Sequence, residues 1–156
     1  MCMATHASDL QVMVLLRHYN TELHRIFKHY AAADQTSTEA LAALDSMNLP
    51  ELLFMLREGG LIDDKLTVSQ VGHIFTQVNA ASEDADYGDT NDAECMYEEF
   101  LQVIGRICDA RIPASSREDP EEELVYTLQR WLHLIFIPTY TRLLKDKARG
   151  NGSKTL

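Results

Sequence analysis

Apolar residues return every three to four positions along most of this chain. Nowhere does a sustained apolar–polar alternation argue for a sheet. Val12, Leu15, Leu16, Tyr19, Leu23, Ile26, Phe27 and Tyr30 form the first stripe. Ser8, with Gln11 three residues on, has the features of an N-cap, so the first helix is expected to begin there. Asn20 and Thr21 can divide the stripe into two helices. The small, polar run AAADQTSTEALAALDS follows, with room for one helical turn. Leu49-Pro50-Glu51 then opens a helix with proline at its first turn, and Gly59-Gly60 closes it with a left-handed cap. Thr67 and Gln70 read as a capping box in front of Val68, Val71, Ile74, Phe75 and Val78. Phe100, Leu101, Ile104, Ile107 and Cys108 make a further apolar face, which Pro113 ends. Asp119-Pro120 with three glutamates starts a last long helix, because acids complement the positive end of the dipole. Leu124, Leu128, Trp131, Leu132 and Ile135 are expected to line one side of it, with a kink or break near Leu134 caused by Pro138. The fold class predicted is all-α.

The stripes repeat. Leu23, Phe27 and Tyr30 are answered by Val71, Phe75 and Val78, a shift of 48 residues (71 − 23). Met47, Leu49, Glu51 and Leu52 are answered by Cys95, Tyr97, Glu99 and Phe100 at the same shift. Each copy runs helix, polar loop, helix, and such self-similarity marks a repeated supersecondary unit.

On these residues the chain resembles the EF-hand family of the calmodulin superfamily, as a degenerate pair with enlarged loops. More distantly it is similar to small EF-hand-related cytoskeletal and ciliary proteins of the tubulin-polymerization-promoting kind. The resemblance covers about Leu23 to Ile112. It implies two helix–loop–helix units packed face to face, the first over about 23–60 and the second over about 67–112. Met47 and Cys95 would then form the short β-bridge between the loops, and Glu51 and Glu99 would take the place of the bidentate calcium glutamate. The N-terminal helix leads in, and a C-terminal helix over about 120–147 packs across the pair. Residues 1–148 form one domain, and 149–156 are expected to be a disordered tail.

The loops depart from the family pattern. A standard calcium loop has 12 residues with oxygen ligands at fixed places and a glycine at the sixth. Ala31–Glu51 and Asn79–Glu99 each hold 21, counting both ends (51 − 31 + 1). Ala31 and Ala33 offer no side-chain oxygen in the first. In the second, Asp84, Asp86, Asp89, Asp92 and Glu99 could gather around an ion, but Gly88 is out of place. No metal or cofactor is expected, with calcium on those five carboxylates as the alternative. If the second loop is a hand with added residues, Ser82 to Asp92 should be removable.

Composition sharpens this little, and charge more. The net charge is −10, which argues against nucleic acid as a partner, since phosphates call for a basic face. Eight carboxylates and no lysine or arginine fall between Asn79 and Glu99. The C-terminal end is basic instead, with Arg142, Lys145, Lys147, Arg149 and Lys154. It can complement the helix dipole, meet an acidic partner such as a microtubule surface, or touch a membrane. Three cysteines form no CxxC pair and are read as reduced thiols. No apolar run approaches the roughly 20 residues of a membrane span. His18, His24 and His29 are spaced too irregularly to share a metal, and no nucleophile–base pattern of a known enzyme class occurs.

The function expected is therefore non-enzymatic: a protein-interaction module, cytoplasmic and associated with the cytoskeleton or a cilium. The alternative is a calcium-regulated sensor using the acidic second loop. Met47, Leu52, Phe54, Met55, Phe75, Phe100, Ile104 and Trp131 are the candidate partner groove. The amphipathic helix after Pro120 is expected to dock on that groove from within the same chain, burying Trp131.

Overall fold

The computed structural model describes residues 2–31, 46–80, 94–117, 119 and 123–153. These residues are mostly helical. The order is α1 (Cys2–His18), α2 (Asn20–Ala31), β1 (Ser46–Asn48), α3 (Leu49–Glu58), α4 (Val68–Ala80), β2 (Glu94–Met96), α5 (Tyr97–Arg111), α6 (Leu124–Trp131), a π-helical turn (Leu132–Phe136) and α7 (Ile137–Ser153). A 3₁₀ turn at Ala114–Ser116 follows α5.

Local chemistry sets most boundaries. The break between α1 and α2 falls at Tyr19, immediately before the expected Asn20-Thr21 joint. Helix α1 starts at Cys2 rather than at Ser8, so the N-cap signal at Ser8 is overridden. Asn48 caps α3: its Oδ1 accepts from the Glu51 amide, and Glu51 Oε1 accepts from the Asn48 amide. The other end of α3 closes through Gly60 at φ 69°, where the missing Cβ removes the steric cost. There the Leu61 amide reaches the Leu56 carbonyl and the Gly60 amide the Arg57 carbonyl, the two bonds of a Schellman cap. Thr67 and Gln70 form the expected reciprocal box in front of α4.

The strands are antiparallel, with Met47 opposite Cys95, Ser46 opposite Met96 and Asn48 opposite Glu94. This is the bridge anticipated at those two residues, and it ties the α2–α3 half to the α4–α5 half. Arg111 adds a second tie, donating from α5 to the Leu61 carbonyl and the Asp63 carboxylate in the α3–α4 link.

The C-terminal helix, expected to kink or break near Leu134, is two helices with a wide turn between them. Pro138 has no N–H, and in an α-helix its ring would collide with the Leu134 carbonyl. The chain widens just ahead of it, where the Ile137 amide bonds to the Leu132 carbonyl five residues back. That turn shifts the helical phase. In a continuous α-helix Ile135 would follow Trp131 on the same face, but here Phe136 does. Phe136 is 1% exposed, whereas Ile135 is 48% and Leu134 66% exposed. The expectation that Ile135 anchors the helix is thus corrected. Helix α7 also continues through Ser153 rather than giving way at Arg149.

One apolar cluster joins all the helices. Helix α1 packs on α5, where Gly105 lies beside Val12 and Leu16. Helix α6 lies against α1 and α5, and α7 against α2. No helix among the described residues is long and apolar enough to cross a membrane.

Candidate functional site

The two glutamates that the EF-hand resemblance singles out do the same local job. Glu51 and Glu99 each stand three residues into an exiting helix and accept the amide at its start, Asn48 N–H at 2.9 Å and Met96 N–H at 2.9 Å. One oxygen of each carboxylate is thereby directed at the backbone. Ala31, the first position of the first loop, is buried and ends α2 with a methyl group. Position 31 thus offers no side-chain oxygen. Asp84, Asp86, Asp89 and Asp92 lie outside the described residues, as does the segment Ser82 to Asp92 expected to be removable. Among the described residues no group of three carboxylate, histidine or cysteine side chains is placed to hold a metal.

The candidate groove is an interior. Met47, Leu52, Met55, Phe75, Phe100, Ile104 and Trp131 are all buried, and only Phe54 stays exposed, at 44%. The chain's own C-terminal segment contributes Leu128, Trp131, Leu132, Phe136 and Tyr140, each at most 2% exposed. Burying each such side chain stabilises the fold by about 1.5–3 kcal/mol. The aromatic contacts run on from Trp131 to Phe136 at 5.0 Å, Phe136 to Tyr140 at 4.7 Å and Tyr140 to Tyr30 at 5.9 Å. Trp131 is buried as expected.

At the far end of this contact, polar groups fix the register of α7. The Tyr140 hydroxyl donates to the Met55 carbonyl at 2.6 Å. It sits so close over Gly59 that a Cβ there would lie 2.6 Å from Tyr140 Cζ. Glu58 accepts from the Tyr30 hydroxyl at 2.7 Å and from Lys147 at 2.7 Å. Lys147 also lies over the rings of Tyr30 and Phe54. Burial pulls the Glu58 carboxyl upward, but the Lys147 and Tyr30 bonds outweigh it and hold it below its usual value. Burial, then the Lys147 charge, lowers His29. The Lys147–Glu58 pair was not legible from spacing, because it joins the last helix to the end of α3.

A second feature faces solvent. Where the α1–α2 joint meets the π turn and α7, a groove of about 790 Å³ opens. Tyr19, Ile137 and Pro138 supply its apolar surface, and His18, His133, Arg142 and Lys145 its basic groups, with Glu22 as its one carboxylate. Of these, Arg142 and Lys145 were legible as a basic C-terminal stretch. Their meeting with the α1–α2 joint was not, since no periodicity links the two ends of the chain.

Cys95 and Cys108 are both buried free thiols. Burial, helped by the Glu99 carboxylate, pushes Cys95 up to about 12, and burial pushes Cys108 up to about 12. Burial also raises Tyr97 to about 12, and Tyr30 and Tyr140 further. All five are raised in the folded state. Their neutral forms therefore stabilise the fold fully below the unfolded values, from 9.0 for the thiols and 10.0 for the phenols, and that stability is lost as pH climbs toward the folded values. The urea midpoint should be level from pH 7 to about 8.5 and fall steadily above about 9. A flat midpoint up to pH 11 would show that these groups are not buried.

Comparison with family models, with curated proteins and with solved structures gives no match.

Proposed function

We propose that this protein is a non-enzymatic protein-interaction module on a degenerate, paired EF-hand-like scaffold whose own C-terminal helices occupy the groove between its halves. The observation that carries this reading is the pairing of Met47 with Cys95, with Glu51 and Glu99 capping the exiting helices at the same offset in both halves. That geometry supports two copies of one helix–loop–helix unit. The filled interior leaves the outer surface, or displacement of α6 and α7, as the route to a partner. A cytoplasmic setting near the cytoskeleton or a cilium belongs to the same proposal and rests on the family resemblance.

The calcium-sensor reading rests on the acidic composition between Asn79 and Glu99. Calorimetric titration separates the two. The module reading expects no site with a dissociation constant below about 10 μM. A site of that strength that disappears in Glu99→Gln would favour the sensor. Affinity capture from cell extract, run once in calcium and once in chelator, should return the same partner set under the module reading.

A further inference from the structure

The open groove between the α1–α2 joint and α7 is unlike the rest of this acidic molecule. Four groups able to carry positive charge converge there, and one carboxylate faces them. Elsewhere four cations sit in ion pairs: Arg17 with Glu98, Arg111 with Asp63, Arg117 with Asp109 and Lys147 with Glu58. Among the described residues neither Arg142 nor Lys145 makes an ion pair, and both are exposed. They stand three positions apart, on the side of α7 away from the stripe of Tyr140, Leu144 and Lys147 that faces the core. Tyr19, Ile137 and Pro138 give the same groove an apolar surface.

We propose that this groove binds an acidic peptide segment of a partner protein, with a bulky apolar side chain on Ile137 and Pro138 and flanking carboxylates on Arg142 and Lys145. The proposal deepens the interaction-module reading and rests on it. Three features favour a peptide over other anions. The volume falls within the roughly 300–1,000 Å³ of clefts that enclose ligand groups, whereas a bilayer needs a flat or convex face. The apolar surface between the cations has no use for a bare phosphate. The net charge of −10 repels an extended polyanion or an anionic membrane beyond the reach of a few local cations, while a short segment feels mainly the groove.

Direct binding tests this. The probe is a fluorescein-labelled peptide of glutamates around one phenylalanine, followed by fluorescence polarisation. Wild-type protein should bind it, and the same peptide with lysine in place of glutamate should not. The double variant Arg142→Glu/Lys145→Glu should bind about tenfold or more weakly, and added salt should weaken the wild-type complex. Both residues are exposed and make no ion pair among the described residues, so circular dichroism should show unchanged helicity. Equal binding by the double variant, or no binding at millimolar peptide, overturns the proposal. So does double-variant-sensitive binding to phosphatidylserine vesicles in place of the peptide, which would make the groove a membrane contact. Capture from extract keeps the two levels apart. A partner held equally by wild type and double variant sinks the groove assignment and leaves the module reading standing. No partner on either sinks the module reading itself.

Discussion

Replacing Tyr140 by alanine should lower stability by about 3–5 kcal/mol, the usual cost of removing a large ring from a packed core. The ring is fully buried, touches both Phe136 and Tyr30, and covers Gly59. For a domain of this size each kcal/mol moves the melting temperature by roughly 2–4 °C, so a fall on the order of 10 °C is expected. Tyr140→Phe separates the ring from its hydroxyl. The Met55 carbonyl would still accept from the Gly59 amide at 3.1 Å, so no buried acceptor is stranded. The cost should therefore be near 1 kcal/mol, that of a single net hydrogen bond. Denaturant titrations of both variants check this. A Tyr140→Ala variant within 1 kcal/mol of wild type would mean that α7 is not seated on α3.

The second large effect separates two neighbours. Phe136→Ala should cost about 3–5 kcal/mol, and Ile135→Ala less than about 0.5 kcal/mol. Continuous α-helical spacing from Leu128 and Trp131 demands the reverse order. The wide turn at Leu132–Phe136 carries Phe136 into the core and leaves Ile135 outside. Comparable losses at both positions would contradict the phase shift.

These two residues also mark where reading from sequence ends. Capping at Thr67 and Gln70, the stop at Gly59-Gly60 and a joint next to Asn20-Thr21 were legible because each depends on residues within one or two turns. The Met47–Cys95 pairing was legible only through the 48-residue repeat (95 − 47), since a three-residue strand has no periodicity of its own. Pro138 announced a disturbance near Leu134 but not its form. A kink and a widened turn both relieve the proline, and tertiary packing of Phe136 decides between them. The candidate groove residues were recognised as apolar and clustered, while their burial depends on what the chain's far end does. Lys147 with Glu58, and His18 with Arg142, are brought together only by the fold.

We propose that α6 and α7 close the two halves of the molecule from within. Trp131 is the sole tryptophan and is 2% exposed. Its emission therefore reports on that contact without interference. The native protein should emit in the blue, resist quenching by acrylamide, and shift to the red in a single step on unfolding. A native spectrum already red-shifted and readily quenched would mean that Trp131 lies in water and that the helix stands away from the core.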